Sequence, residues 1–180
     1  VDPETGAVLP PGATGELQLR GLYTYTFNFT QNTGVPLQPI AYLAGQNGGD
    51  IPKWKAFLQQ TWKMDRLQLT ATERLVSDGV INNNYVVCST DCPASSTDYH
   101  TINYNHIGGA FYFDLNATMP IKLAGAQAEV FLAMKNLFNS DPVLVALGPT
   151  GNSTAANAQT NRALYDVLGR LFRMGVRIKV

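Results

Sequence analysis

The last twelve residues, Gly169 to Val180, read GRLFRMGVRIKV. Phe172, Met174, Val176, Ile178 and Val180 alternate one for one with Arg173, Gly175, Arg177 and Lys179. Period-two alternation places hydrocarbon on one face of a strand and polar groups on the other. A sandwich strand with one wet face carries this pattern. So does a transmembrane barrel strand, whose outer face meets lipid and whose inner face meets a polar lumen.

Other stretches repeat the pattern. From Gly15, the residues Leu17, Leu19, Tyr23, Tyr25, Phe27 and Phe29 fall on one face. Glu16, Gln18, Arg20, Thr24, Thr26, Asn28 and Thr30 fall on the other, with Leu22 as the exception. This predicts a strand of about fifteen residues, against a usual ~5–6 in globular proteins. Pro52 to Lys63 sets Trp54, Ala56, Leu58 and Trp62 against Lys53, Lys55, Gln59, Thr61 and Lys63. The two tryptophans lie about 27 Å apart along a strand rising ~3.4 Å per residue, or roughly 21 Å along the axis of a tilted barrel. That is close to the spacing of two aromatic girdles, although two core tryptophans would also satisfy it. After a tight turn at Met64 and Asp65, Leu67, Leu69, Ala71 and Leu75 oppose Arg66, Gln68, Thr70, Thr72 and Arg74. Glu73 falls on the apolar side, where a carboxylate is costly unless it lies near an interface or a bulge turns it inward. Phe111, Phe113, Leu115, Ala117 and Met119 face away from Tyr112, Asp114, Asn116 and Thr118, and a turn is predicted at 120–125. Ala128, Val130, Leu132 and Met134 oppose Gln127, Glu129 and Lys135, with Phe131 and Ala133 on the polar side.

The expected fold is therefore all-β, an antiparallel meander of about six long strands. Residues 1–14, rich in Pro and Gly, form a turn or linker, and 15–180 form the strands. The connections alternate between long (31–51, 77–106, 139–168) and short (64–65, 120–125). Outer-membrane barrels put short turns on the periplasmic side and long loops outside. If Val180 ends in the periplasm, the parity works for every connection, so the strands are expected to be transmembrane. No apolar run approaches the ~20 residues of a spanning helix. The charged fraction, 14%, is low, and the net charge is zero with no basic cluster, which gives no reason to expect a nucleic-acid partner. The opening VDPETGAVLPPGATG, without initiator Met or signal peptide, reads as the interior of a longer polypeptide.

Two segments resemble the C-terminal end of TonB-dependent outer-membrane receptors. They are AEVFLAMKNLFNSDP (Ala128 to Pro142) and NRALYDVLGRLFRMGVRIKV (Asn161 to Val180). The core of the likeness is Asn136-Leu137-Phe138-Asn139 leading into Asp141-Pro142, then Tyr165-Asp166, Gly169-Arg170 and the alternating end. GGDIPKWKAFLQQTW (Gly48 to Trp62) and YFDLNATMPI (Tyr112 to Ile121) are similar to strands of the same family. The resemblance implies a 22-stranded barrel of the bacterial outer membrane around an N-terminal plug. This chain would supply about the last quarter, without plug or TonB box. The implied function is uptake of a scarce nutrient, such as a siderophore, vitamin or saccharide, with energy from the TonB complex acting through the plug. The implied partners are outer-membrane lipid, TonB and a small nutrient ligand. A passive porin-like channel and a soluble all-β binding module are the alternatives.

Cys88 and Cys92 lie in the 77–106 loop. An outer loop is oxidising, which favours a disulfide. His100 and His106 follow at a spacing loosely like Cys2His2 zinc, and free thiols are a third alternative. The expectation is a disulfide and no metal or other cofactor. Asn82, Asn83, Asn84, Tyr85, Tyr99 and Tyr104 in the same loop are candidate ligand contacts, or ordinary solvated loop residues. Arg20, Arg74, Arg173, Arg177 and Lys179 are candidate lumen-facing cations, facing the plug or water. No catalytic arrangement is evident, so no enzyme activity is expected. Ser, His and Asp occur together in 95–106 without a nucleophile elbow, and Asp114 and Glu129 have no spacing that pairs them. Gly48-Gly49-Asp50 leads into a strand and not a helix, so it is no phosphate loop.

Overall fold

A computed structural model describes residues 15–64, 66–96, 99–123, 126–145 and 159–179. The predicted 1–14 linker, Asp65, most of the segment around STAANAQTNRA, the Lys179 side chain and Val180 lie outside the described residues. The elements in chain order are β1 (Glu16–Tyr25), β2 (Thr30–Gln31), β3 (Ala41–Tyr42), a 3-10 turn (Asn47–Gly49), β4 (Trp54–Met64) and β5 (Leu67–Val76). They continue with β6 (Gly79–Val80), β7 (Val86–Val87), β8 (Thr101–Ile102), β9 (His106–Ile107), β10 (Ala110–Leu123), β11 (Ala126–Lys135) and β12 (Leu171–Lys179).

The six long strands form one antiparallel sheet in the order β1-β4-β5-β10-β11-β12. This is the expected meander. β1 and β12 do not pair with each other, so the sheet is open, with an edge at either side. The β4–β5 and β10–β11 turns lie at one end, and the long connections lie at the other.

The register carries the two-face reading across the whole sheet. Leu17 pairs with Trp62, Trp62 with Leu69, Leu69 with Ala117, Ala117 with Leu132, and Leu132 with Met174. Directly paired residues share a face, so these six lie in one apolar row. Apart from Gly21, whose side is neutral, the polar residues on this face are Gln60 and Glu73. The β4–β5 pairing runs from Met64↔Leu67 to Lys55↔Val76 without a bulge, so Glu73 is not turned inward. It accepts a hydrogen bond from Gln60 Nε2 at 3.1 Å, a diagonal cross-strand contact that partners two groups otherwise set in hydrocarbon.

Several boundaries differ from expectation. β1 ends at Tyr25, so Phe27 and Phe29 are outside the strand. Thr26 makes the last bond, its N–H donating to Lys53 O at 2.9 Å. Next on the partner side comes Pro52, which has no N–H with which to extend the ladder. The 31–51 loop is not featureless; it holds the β2–β3 hairpin and the 3-10 turn. The 77–106 loop likewise contains the antiparallel β6–β9 pair and the parallel β7–β8 pair. Met64 belongs to β4 and Arg66 to the turn, the reverse of the expected assignment. β10 runs through Pro120 to Leu123, where a turn was expected. Its pairing with β5 stops at Thr118↔Gln68, and beyond that point β10 has one neighbour, so a proline is tolerated.

The packed core is not on the apolar face. Val76, Ile81, Ile107, Val145 and Tyr165 form it, backed by Tyr85, Ile102, Ala110, Val143 and Leu164. Val76 and Ala110 lie on the polar face, so this core fills the space between that face and the long loops. On the apolar face Leu19, Tyr23, Met174 and Ile178 remain exposed, with Met174 at 80%. Among the described residues no second sheet covers it. Aromatics gather at its loop end, where Tyr23 stacks on Trp54 at 6.1 Å and Phe138 lies against Phe111 and Phe113.

Candidate functional site: a loop-roofed recess on the polar face

The three long connections converge on Asn47. Its side chain is fully buried, and its Nδ2 donates to Ser77 O at 2.8 Å and to the Tyr165 hydroxyl at 3.0 Å. Asn161 Nδ2 donates to Asn47 O at 2.7 Å and also reaches Asp50. The Tyr165 hydroxyl donates in turn to Gly108 O at 3.2 Å. Gly79 passes so close that an added Cβ would lie 2.3 Å from Asn47 Oδ1 and 2.4 Å from Gly45 O, which confines this position to glycine. One side chain from the first loop thus joins all three.

Burial pushes the Tyr165 phenol above its ordinary range, outweighing the hydrogen bond from Asn47. An acid whose folded-state pKa is raised stabilises the fold while it stays neutral. That contribution is present below about pH 10, the ordinary tyrosine value, and is lost as pH rises through the folded-state value. Tyr165→Phe should remove one step from the high-pH end of an alkaline titration followed by tyrosinate absorbance. It should also loosen the loops at neutral pH by about 1 kcal/mol, the worth of an ordinary hydrogen bond.

Beneath this roof sits a charge cluster on the sheet. Arg74 lies 3.5 Å from Asp114 and 3.9 Å from Asp166, and its guanidinium stands 5.2 Å from the Tyr112 ring centre. Asp114 Oδ1 also accepts from the Asn136 backbone N–H at 2.9 Å, and the Asp166 N–H donates to the Tyr112 hydroxyl at 3.1 Å. Asn136 sits at φ 47°, and its side chain exchanges two hydrogen bonds with the Ser140 backbone, at 2.8 and 2.9 Å. The cluster therefore ties the third loop to β5 and β10.

The expected lumen-facing cations fall into different settings. Arg20, Arg74, Arg173 and Arg177 all occupy polar-face positions in the register. Arg177 pairs with Glu129 at 3.0 Å and covers the Phe131 ring, 4.8 Å from its centre. Arg20 and Arg173 make no ion pair among the described residues.

The candidate ligand contacts also divide. Asn82 Oδ1 accepts the Asn84 N–H at 2.8 Å, and the Asn82 carbonyl accepts from Asn105 Nδ2 at the same distance. Asn83 Nδ2 bridges Tyr42 O at 2.6 Å and Ala44 O at 3.2 Å, and Asn84 reaches Ile40 O at 3.5 Å. Asn83 and Asn84 thus reach the first loop, while Asn82 bonds within its own. Tyr85 packs into the loop core and meets His100 edge-on at 5.3 Å. Tyr99 and Tyr104 are exposed, and the Tyr104 hydroxyl is 3.3 Å from His106 Nδ1. Cys88 and Cys92 are joined as a disulfide, with 5.6 Å between their Cα atoms. His100 turns to Ser95 and His106 to Asp78, and among the described residues no three metal-ligating side chains converge.

Sequence reasoning missed Lys55 and Phe57. Both lie on the polar face of β4, opposite Thr24 and Leu22 on β1. Leu22 stood out as an apolar residue among polar ones, and Phe57 carries the same signal. With Tyr112, Arg74 and Leu164 they line a recess of about 320 Å³. A larger hollow of about 970 Å³ lies at the opposite, short-turn end. Met119 and Ile121, which line it, belong to the apolar face, as Ala56 and Leu75 do in the smaller recess, so both hollows are open and neither is an enclosed site.

The chain matches no protein-family model, no curated protein and no solved structure.

Proposed function

We propose that this chain forms part of the wall and outer loops of a TonB-dependent receptor in the bacterial outer membrane. The full polypeptide would close a 22-stranded barrel around a plug, bind a scarce nutrient at the loop end and import it with TonB-supplied energy. One observation carries this reading. Six strands present an apolar face that, among the described residues, no protein layer covers, while the packed core lies on the other side. In water such a face would be an aggregation site. In a bilayer it is the lipid-facing surface, and an aromatic band at its loop end fits an interfacial girdle. The long and short connections add the same polarity. The open edges at β1 and β12 are where further strands of a barrel would pair.

The test is fractionation of the native cell with an antibody to residues 77–106. The expected result is a heat-modifiable band in the outer membrane, far above the 19.6 kDa of this sequence. A soluble band near that mass would overturn the reading and leave a soluble all-β module.

A further inference from the structure

The geometry points to a ligand class for the recess: a small molecule with a flat or branched apolar body and one anionic group. This rests on the transporter reading for its biological role, but the chemistry comes from the lining. The recess, about 320 Å³, falls at the lower end of the range for small-molecule sites. Leu22, Phe57, Tyr112 and Leu164 supply apolar surface on the polar face, beside the loop core to which Val76 and Leu164 belong. The charged residues lining the recess are Lys55 and Arg74, both cations.

Arg74 is paired with Asp114 and Asp166, neither of which lines the recess. Both stand against its Nη2 end, and Arg74 Nε is buried without a partner. Lys55 is exposed and makes no ion pair among the described residues. The cation left without a carboxylate partner, and so offered to an incoming molecule, is Lys55. Leu164 and Ala163 come from the loop fastened by Asn161 and Tyr165, so the roof is held in place before anything binds. Pre-ordering of this kind reduces the entropy lost on binding.

The test uses the full-length receptor, purified from outer membranes in detergent and shown to be heat-modifiable. The probe is naphthalene-2-carboxylate, compared with the neutral naphthalene-2-carboxamide by calorimetry. The carboxylate should bind about tenfold more tightly, the effect of one charge-assisted hydrogen bond. Lys55→Gln should weaken the carboxylate by about tenfold and leave the amide unchanged. Leu164→Ser should weaken both. Each variant must remain heat-modifiable, which separates lost binding from lost folding. Equal binding of the two probes, an unaffected Lys55→Gln variant, or no binding to folded receptor would each overturn the ligand class. None of these outcomes touches the transporter reading, which stands or falls on the outer-membrane band.

Discussion

Leu132→Arg should prevent stable assembly in the membrane, whereas Asn116→Arg should assemble normally. Leu132 sits on the apolar face of β11, paired with Ala117 on β10 and Met174 on β12. An arginine near the bilayer midplane of a barrel's outer face costs about 2–4 kcal/mol. Asn116 lies one residue away in sequence from Ala117 but on the opposite face, between Thr70 and Ala133. There an added cation meets water, and a surface change of this kind costs within ~0.5 kcal/mol. On the outer-membrane reading proposed above, the folded, heat-modifiable fraction of the full-length protein measures both. Matching losses for the two variants would mean that neither face is lipid-exposed. The native Glu73 is compatible with this contrast. Acidic residues cost less than Arg or Lys on the lipid face, and Gln60 bonds to it at 3.1 Å.

The side each residue occupies was legible in the sequence because it depends on a period of two, which needs no partner to be read. Phe131 and Ala133 were placed on the polar side by counting alone, and the register agrees. Phe131 pairs directly with Gly175, whose added Cβ would lie 2.7 Å from the ring, so that glycine makes room for the aromatic. Strand ends were less legible, because they depend on the neighbour. β1 stops where Pro52 fails its partner, and β10 outlasts Pro120 because β5 has already ended. The loops were least legible. Asn47 bonds to residues 30 and 118 positions away, and no local pattern encodes such contacts. The asparagines of the 77–106 loop were read as candidate ligand contacts, and their bonds to Tyr42 O, Ala44 O and Ile40 O were not legible because composition does not show partners distant in sequence. The recess did leave a trace, in Leu22 breaking the alternation, but its meaning required Phe57 beside it.

Asn47→Ala should release the outer loops from one another while leaving the sheet intact. The substitution removes donors to Ser77 O and to the Tyr165 hydroxyl. Ser77 is 3% exposed, so its carbonyl would lose its side-chain donor where water does not replace it. A buried polar group left unpaired costs about 1–3 kcal/mol, and the loss of packing in a site that cannot collapse adds to it. The expected total is about 3 kcal/mol, confined to the loops, because none of these bonds lies within the six-stranded ladder. Asn84→Ala is the control: its side chain makes a single 3.5 Å contact with Ile40 O, and its loss should cost no more than ~0.5 kcal/mol. Amide hydrogen exchange would read the difference. In Asn47→Ala, protection should fall by about two powers of ten at Val80, Ile81 and Tyr165 while β4, β5 and β10 keep theirs, since 1.4 kcal/mol is a factor of ten. Protection lost equally from the strands would mean that the loops and the sheet open as one unit. The recess roof would then depend on the sheet's overall stability and not on Asn47.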